Sequence, residues 1–186
     1  MGKKQIINQG TLLLAEPFIM DVYFRRAAIL ICDKHDEGTL GFILNKPLDV
    51  KVQDILSDFP EFDGMAYYGG PVQTDSLHFL HSAGDLVDDS QFVCQGVYWG
   101  GDFEKVKILI KNGLLKPEQI RFYVGYTGWS KDQLEEEIKE NTWIIDEMDP
   151  NYLFLFKSEK LWQIILEHKG NNHAVIAQIS DFLNLN

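Results

Sequence analysis

The sequence predicts a single α+β domain, and three observations carry that prediction. Residues 27–32 (AAILIC) and 40–44 (LGFIL) are near-continuous apolar runs rich in strand formers, the pattern of strands buried on both faces. Residues 120–126 alternate Ile120, Phe122, Val124 and Tyr126 against Arg121, Tyr123 and Gly125, the period of a half-buried strand. An amphipathic helix pattern follows Asp102, and no linker, repeat or compositional break divides the 186 residues. A chain of this length can build a core without disulfide or metal staples.

In chain order, residues 12–15 give a further buried strand, and Asp21 is placed to cap a single helical turn through Phe24. The segment DKHDEG, ending at Gly38, predicts a hairpin connection that makes its flanking strands antiparallel neighbours. Asp49 is expected to start a short helix reaching Ser57, ahead of Pro60. Residues 77–81 and 97–99 read as short strands on either side of the loop AGDLVDDSQ. Asp102 is a good N-cap; Phe103, Val106, Leu109 and Ile110 share one helical face; Gly113 suits the position just past the end, and Pro117 follows.

The stretch GYTGWSKDQLEEEI (125–138) sets two glycines and a tryptophan before a charged helix. Gly125 and Gly128 are expected to let the chain leave the strand and turn tightly. Ser130 and Gln133 have the spacing of a capping box, and Trp129 and Leu134 that of a hydrophobic staple. Lys131–Glu135 and Glu135–Lys139 are i,i+4 pairs, and Leu134 and Ile138 form the apolar edge. Residues 143–145 predict a strand. Pro150 after Asp149 predicts a short helical turn, and Ser158 a cap for a last long helix through Glu167, with Gly170 past its end. For residues 171–186 the pattern leaves strand and extended coil both open.

Charge narrows the function. The net charge is −11, and between Lys51 and Lys105 there is no Lys or Arg while ten Asp and Glu, Asp54 through Glu104, fall there. Such a field repels phosphate backbones, so direct nucleic-acid binding is not expected. Two cysteines, Cys32 and Cys94, set among apolar neighbours, suit a reducing compartment. Neither a secretory signal nor a run near the roughly 20 apolar residues of a membrane span is visible. The expectation is a soluble, cytoplasmic protein without membrane contact.

Several motifs occur together: GTLLLAEPF (10–18), the acidic-turn segment 21–26, HDEGTLGFILNKPL (35–48), YGGPV (68–72), LHFLHS (77–82), GVYWGGDF (96–103) and GYTGWSKDQLEEEI, with Trp143 beyond. In these the chain resembles the YqgE/AlgH family of bacterial proteins from about Gly10 to Ile145. The resemblance implies an α+β fold with a bent, partly barrel-like, mostly antiparallel or mixed sheet flanked by helices. Members are often labelled transcriptional regulators, but the resemblance supplies no reaction. Asp132 departs from the pattern, standing where many relatives have glycine, and the tail beyond Pro150 matches less well.

The candidate chemistry is sparse. His78 and His81, three apart on a strand, point to opposite faces and cannot chelate one ion without a bulge. Cys32 and His35 lack a second ligand pair, and a buried strand cysteine is more often an inert small hydrophobe than a nucleophile. Gly69–Gly70 and Gly100–Gly101 default to tight turns over anion cradles. No metal or cofactor is expected. The best composite site joins Asn45, Gly69, Gly70, His81, Gly128 and Trp129, polar or turn residues at strand ends. In it Asn45 and His81 offer directed hydrogen bonds and Trp129 an apolar wall. The alternative is that Asn45 and His81 satisfy buried backbone groups and Trp129 is a staple. Two functions stay open: a regulatory protein that binds a protein or small ligand, homo-oligomeric or not, with any effect on transcription indirect; or an enzyme acting on a small substrate near His81.

Overall fold

The computed structural model describes residues 6–155 and 157–182. β1 (Thr11–Ala15), β2 (Ala28–His35) and β3 (Gly38–Ile43) form an antiparallel run. Leu12, Leu14, Leu30 and Phe42 turn to one core cluster, while Leu13, Ile29, Ile31 and Ile43 turn to another. Burial on both faces is why these segments carry no polar alternation. Pairing continues to His35 opposite Gly38, so only Asp36 and Glu37 remain as the turn. The hairpin is therefore tighter than the whole DKHDEG connection.

β4 (Pro47–Lys51) and β5 (Met65–Tyr68) make a second, short hairpin around α1 (Val52–Ile55). Asp49 lies inside β4 and is not the cap; α1 starts after Lys51 and stops at Ile55, two residues before Ser57. Cross-strand pairing of Pro47 with Tyr67 and Lys51 with Met65 holds this segment extended against the capping signal. β6 (Val72–His81), β7 (Gln91–Cys94) and β8 (Val97–Trp99) follow, β7 starting at Gln91, the last residue of the expected loop. α2 (Phe103–Lys111) is capped by Asp102, whose carboxylate accepts from the Lys105 amide at 3.1 Å. Gly113 follows it at φ +69°.

β9 (Ile120–Ser130) is the spine of the molecule. It pairs antiparallel with β3 and β6 and parallel with β5, the one parallel pair among the described strands. The chain does not leave the strand at Gly125. Instead Gly125, at φ +67°, kinks the strand opposite a bulge of β6, where residues 73–76 stand out between Val72 and Leu77, and the strand continues to Ser130. The kink resets the side-chain alternation: Tyr123 and Tyr126 join one cluster, and Trp129 the opposite one.

α3 (Gln133–Lys139) and β10 (Trp143–Glu147) come next, then α4 (Pro150–Phe154), α5 (Leu161–Lys169) and α6 (Asn171–Phe182). At α3 the expected capping box does not form: Ser130 ends β9, Asp132 is the N-cap, and of the two expected bonds only the one from the Ser130 amide to Gln133 Oε1 is made, at 3.0 Å. Asp132, at φ +63°, takes the left-handed conformation that glycine adopts without strain. Glu135 pairs with Lys34 of β2 at 2.6 Å, a cross-element contact that replaces the expected pairing with Lys131. Asp149 caps α4. Ser158 caps no long helix; it begins a 3₁₀ turn, is buried, and lies 3.3 Å from the Tyr67 hydroxyl. The tail is neither strand nor coil: residues 171–182 form α6, and 183–186 lie outside the described residues.

The strand order is β10-β1-β2-β3-β9-β6-β8-β7, with β4–β5 attached to β9. The path curls back on itself. Gln91 on β7 donates to the Cys32 carbonyl on β2 at 3.3 Å, and Gln9 donates to the Phe92 carbonyl. The inside of this half-barrel is filled by α4, α5 and α6 through Leu153, Trp162, Ile165 and Ala177.

Candidate functional site

The residues expected to converge are dispersed along the spine. His81 pairs with Ile120 at one end of β9, and Trp129 pairs with Thr39 near the other. That separation is roughly 30 Å of extended chain. Asn45 is buried and bidentate: its Oδ1 accepts from the Ala28 amide and its Nδ2 donates to the Arg26 carbonyl, both at 2.8 Å. It ties the loop before β2 to the end of β3.

His81 is fully buried. Its Nδ1 accepts from the Ala83 amide at 3.2 Å, so Nε2 carries the proton and donates to the Gly100 carbonyl at 2.9 Å. Burial pushes its pKa down, against a smaller upward pull from the Gly100 carbonyl. The neutral ring therefore staples β6 to the start of α2, with Tyr98 stacked on it at 5.9 Å. His78 faces the other way, into the half-barrel, 5.2 Å from the Phe42 ring. Cys32 is wholly buried, and burial first, then Cys94 and Asp33, raises its thiol pKa. His35 turns to Asp33, at 2.8 Å.

Gly69 and Gly70 sit where the β5–β6 connection crosses β9. A Cβ on Gly69 would lie 2.2 Å from the Gly125 carbonyl oxygen, and one on Gly70 2.2 Å from the Tyr126 carbonyl carbon. Backbone meets backbone there, leaving no room for a side chain. Gly128 is different: its Cβ would meet only ordinary contacts, 3.5 Å from Tyr126 and 3.9 Å from Val72. It floors an open groove of about 440 Å³ whose walls include Leu40, Val72, Tyr126 and Trp129, with Asp33 and Glu37 on the rim. Of the expected site residues, the structure brings Gly128 and Trp129 together at one cavity.

Two features escaped the sequence reading. Trp129 and Trp143 both donate their indole N–H to Glu137 Oε2, at 2.8 and 2.7 Å, while Gln133 donates to Oε1 at 2.9 Å. One carboxylate thereby joins α3, β9 and β10. Its i,i+4 spacing from Gln133 was visible, but the convergence of the two indoles was not. The second feature is the loop over residues 16–26, where Phe18, Met20, Val22 and Tyr23 stay 62, 84, 70 and 51% exposed.

The profile of the AlgH-like family matches residues 12–174. The chain belongs to the AlgH-like family. The match runs past Ile145, where the recognised motifs end, into α6. Among relatives, a UPF0301 protein of Chlorobium chlorochromatii is 41% identical, covering 97% of this chain and 96% of its own. One from Chlorobaculum parvum is 38% identical, covering 98 and 97%. The solution structure of AlgH from Pseudomonas aeruginosa superposes on this AlgH-like chain with a TM-score of 0.73 at 26% identity, covering 94% of this chain and 96% of AlgH. The crystal structure of DIP2367 from Corynebacterium diphtheriae superposes at 0.77 with 21% identity, covering 95 and 94%, a likeness of fold.

Proposed function

We propose that this AlgH-like protein is a cytoplasmic regulatory protein that works by binding a protein partner through the loop over residues 16–26, so that any effect on transcription is indirect. The observation that carries this reading is an apolar surface held in one shape. Glu16 Oε2 accepts from the Phe18 amide at 2.8 Å, and Asp21 Oδ1 from the Tyr23 amide at 2.8 Å. The Asp21 carbonyl also accepts from the Arg25 amide at 2.9 Å. Tyr23 stacks on Tyr68 at 5.9 Å, and Lys46 reaches the Val22 carbonyl at 3.4 Å. Exposed apolar side chains on a pre-ordered loop lower the ordering cost of association, which is what a docking surface requires. Arg25 and Lys46 lie beside Asp21, so the polar rim of the loop carries both signs and the exposed apolar side chains define the partner segment as apolar.

The test is a Phe18→Asp, Met20→Asp double variant. Chemical cross-linking in cells should place the loop of the wild-type protein against a defined partner. The variant should lose that cross-link at least tenfold while its melting temperature stays within a few degrees. An unchanged cross-link would overturn the proposal, as would tight sequence-specific DNA binding at physiological salt.

A further inference from the structure

The groove at Gly128 shares none of its lining with the 16–26 loop. Its construction starts from a cross-strand row. Asp33 on β2 pairs with Leu40 on β3, and Leu40 pairs with Gly128 on β9. The kink at Gly125 puts Tyr126 on the half-barrel face, where its ring borders the Gly128 position at 3.5 Å and meets His78 edge-on at 5.8 Å. Val72, paired with Tyr126, closes the far wall. Gly128 lacks the positive φ of Gly125, so its backbone does not require glycine. What the missing side chain provides is space between an aromatic ring and two aliphatic walls.

The rim carries two carboxylates against one imidazole, His35. Asp33 and Glu37 supply carboxylates at the hairpin end, and His35 Nε2 lies 2.8 Å from Asp33 Oδ2. The nearest lysine in sequence, Lys34, is turned into the neighbouring groove and held by Glu135 at 2.6 Å. A volume of about 440 Å³ falls within the roughly 300–1,000 Å³ of small-molecule sites, and barrel mouths commonly host them. Carboxylates at one end of an apolar groove select cations over neutral molecules of equal shape.

We propose that the groove between the β2–β3 hairpin and β9, floored by Gly128 and walled by Leu40, Val72 and Tyr126, binds a small organic ammonium with an apolar body. The ammonium sits toward Asp33 and Glu37, and the apolar body lies over Gly128 against Tyr126.

Benzylammonium is the probe, with benzyl alcohol as its neutral counterpart, and binding is read from backbone amide NMR shifts. Benzylammonium should give saturable shifts at Gly38, Leu40 and Gly128, and benzyl alcohol should bind at least tenfold more weakly. Gly128→Val, whose β-branched side chain suits a strand, should fold normally and lose binding at least tenfold. The Asp33→Asn, Glu37→Gln double variant should weaken benzylammonium about tenfold and leave benzyl alcohol unchanged, which keeps the test decisive if the valine variant fails to fold. Equal affinity for the two probes, unimpaired binding by Gly128→Val, or no saturable shift would overturn the proposal. So would self-association of the free protein that Gly128→Val abolishes, which would assign the groove to a second copy of the chain.

Discussion

His81 shows how a residue type that invites chemistry is used for construction. Both ring nitrogens are bonded to backbone, and the ring is shut from water. Because burial lowers the pKa of the folded state below the ordinary 6.5, the unfolded chain binds the extra proton first. The resulting stability is fully present above about pH 6.5 and is lost as pH falls below that value through the lower pKa of the folded state. The melting temperature should therefore drop between pH 7.5 and 5.5, and His81→Gln should flatten that drop. His78, shifted the same way by burial, should leave a residual slope. An equal slope in the variant would show that His81 is not the titrating group. Asn45 and His81 were legible as polar residues at strand ends. Their partners, the Ala28 amide, the Arg26 carbonyl and the Gly100 carbonyl, are set by packing that no local pattern encodes.

Among the elements, the strands that were read correctly are those whose burial decides their pattern. β1 and the buried stretches 28–32 of β2 and 40–43 of β3 are apolar because both faces are covered, and α2 carries its own cap and stop signals. The misread elements depend on distant partners. β4 is extended because β5 pairs with it, and residues 171–182 are helical where they pack Ala177 into the half-barrel. The start of α3 combines both cases. A helix start was visible there, but it falls at Asp132 and not at Ser130, and Trp129 does more than pack with Leu134: with Trp143 it donates to Glu137, binding α3 to two strands. Glu137→Ala should leave two nearly buried indole N–H groups unpaired and cost about 3–4 kcal/mol, since bonds to a charged acceptor contribute about 1.5–3 kcal/mol each. Glu137→Gln should retain part of that. Urea denaturation followed by tryptophan fluorescence measures both, and a loss below about 1 kcal/mol in the alanine variant would dismiss the clamp.

Across the whole molecule, β9 carries the connectivity between the β10–β3 half of the sheet and the β6–β8 half. The crossing works because Gly69, Gly70 and Gly125 bring backbones into contact, and this was the least legible part of the sequence. Gly125 reads locally as a strand exit, yet it redirects side chains within a continuing strand. Gly125→Ala would place a Cβ 2.5 Å from the Gly70 carbonyl oxygen and hold a non-glycine residue at φ +67°. The left-handed conformation alone costs about 1–2 kcal/mol for a residue with a Cβ. The backbone collision adds strain that only movement of β6 against β9 relieves. Movement there carries Tyr126 and Gly128 out of register with Leu40, so the groove fails together with the fold. The variant should lose several kcal/mol in equilibrium denaturation, and its β9 amides should exchange faster across the whole strand. By contrast Gly128→Ala, three residues on in the same strand, meets nothing closer than 3.5 Å and should stay within about 0.5 kcal/mol of the parent. Equal stabilities for the two alanine variants would mean that the kink at Gly125 does not set the register of the spine.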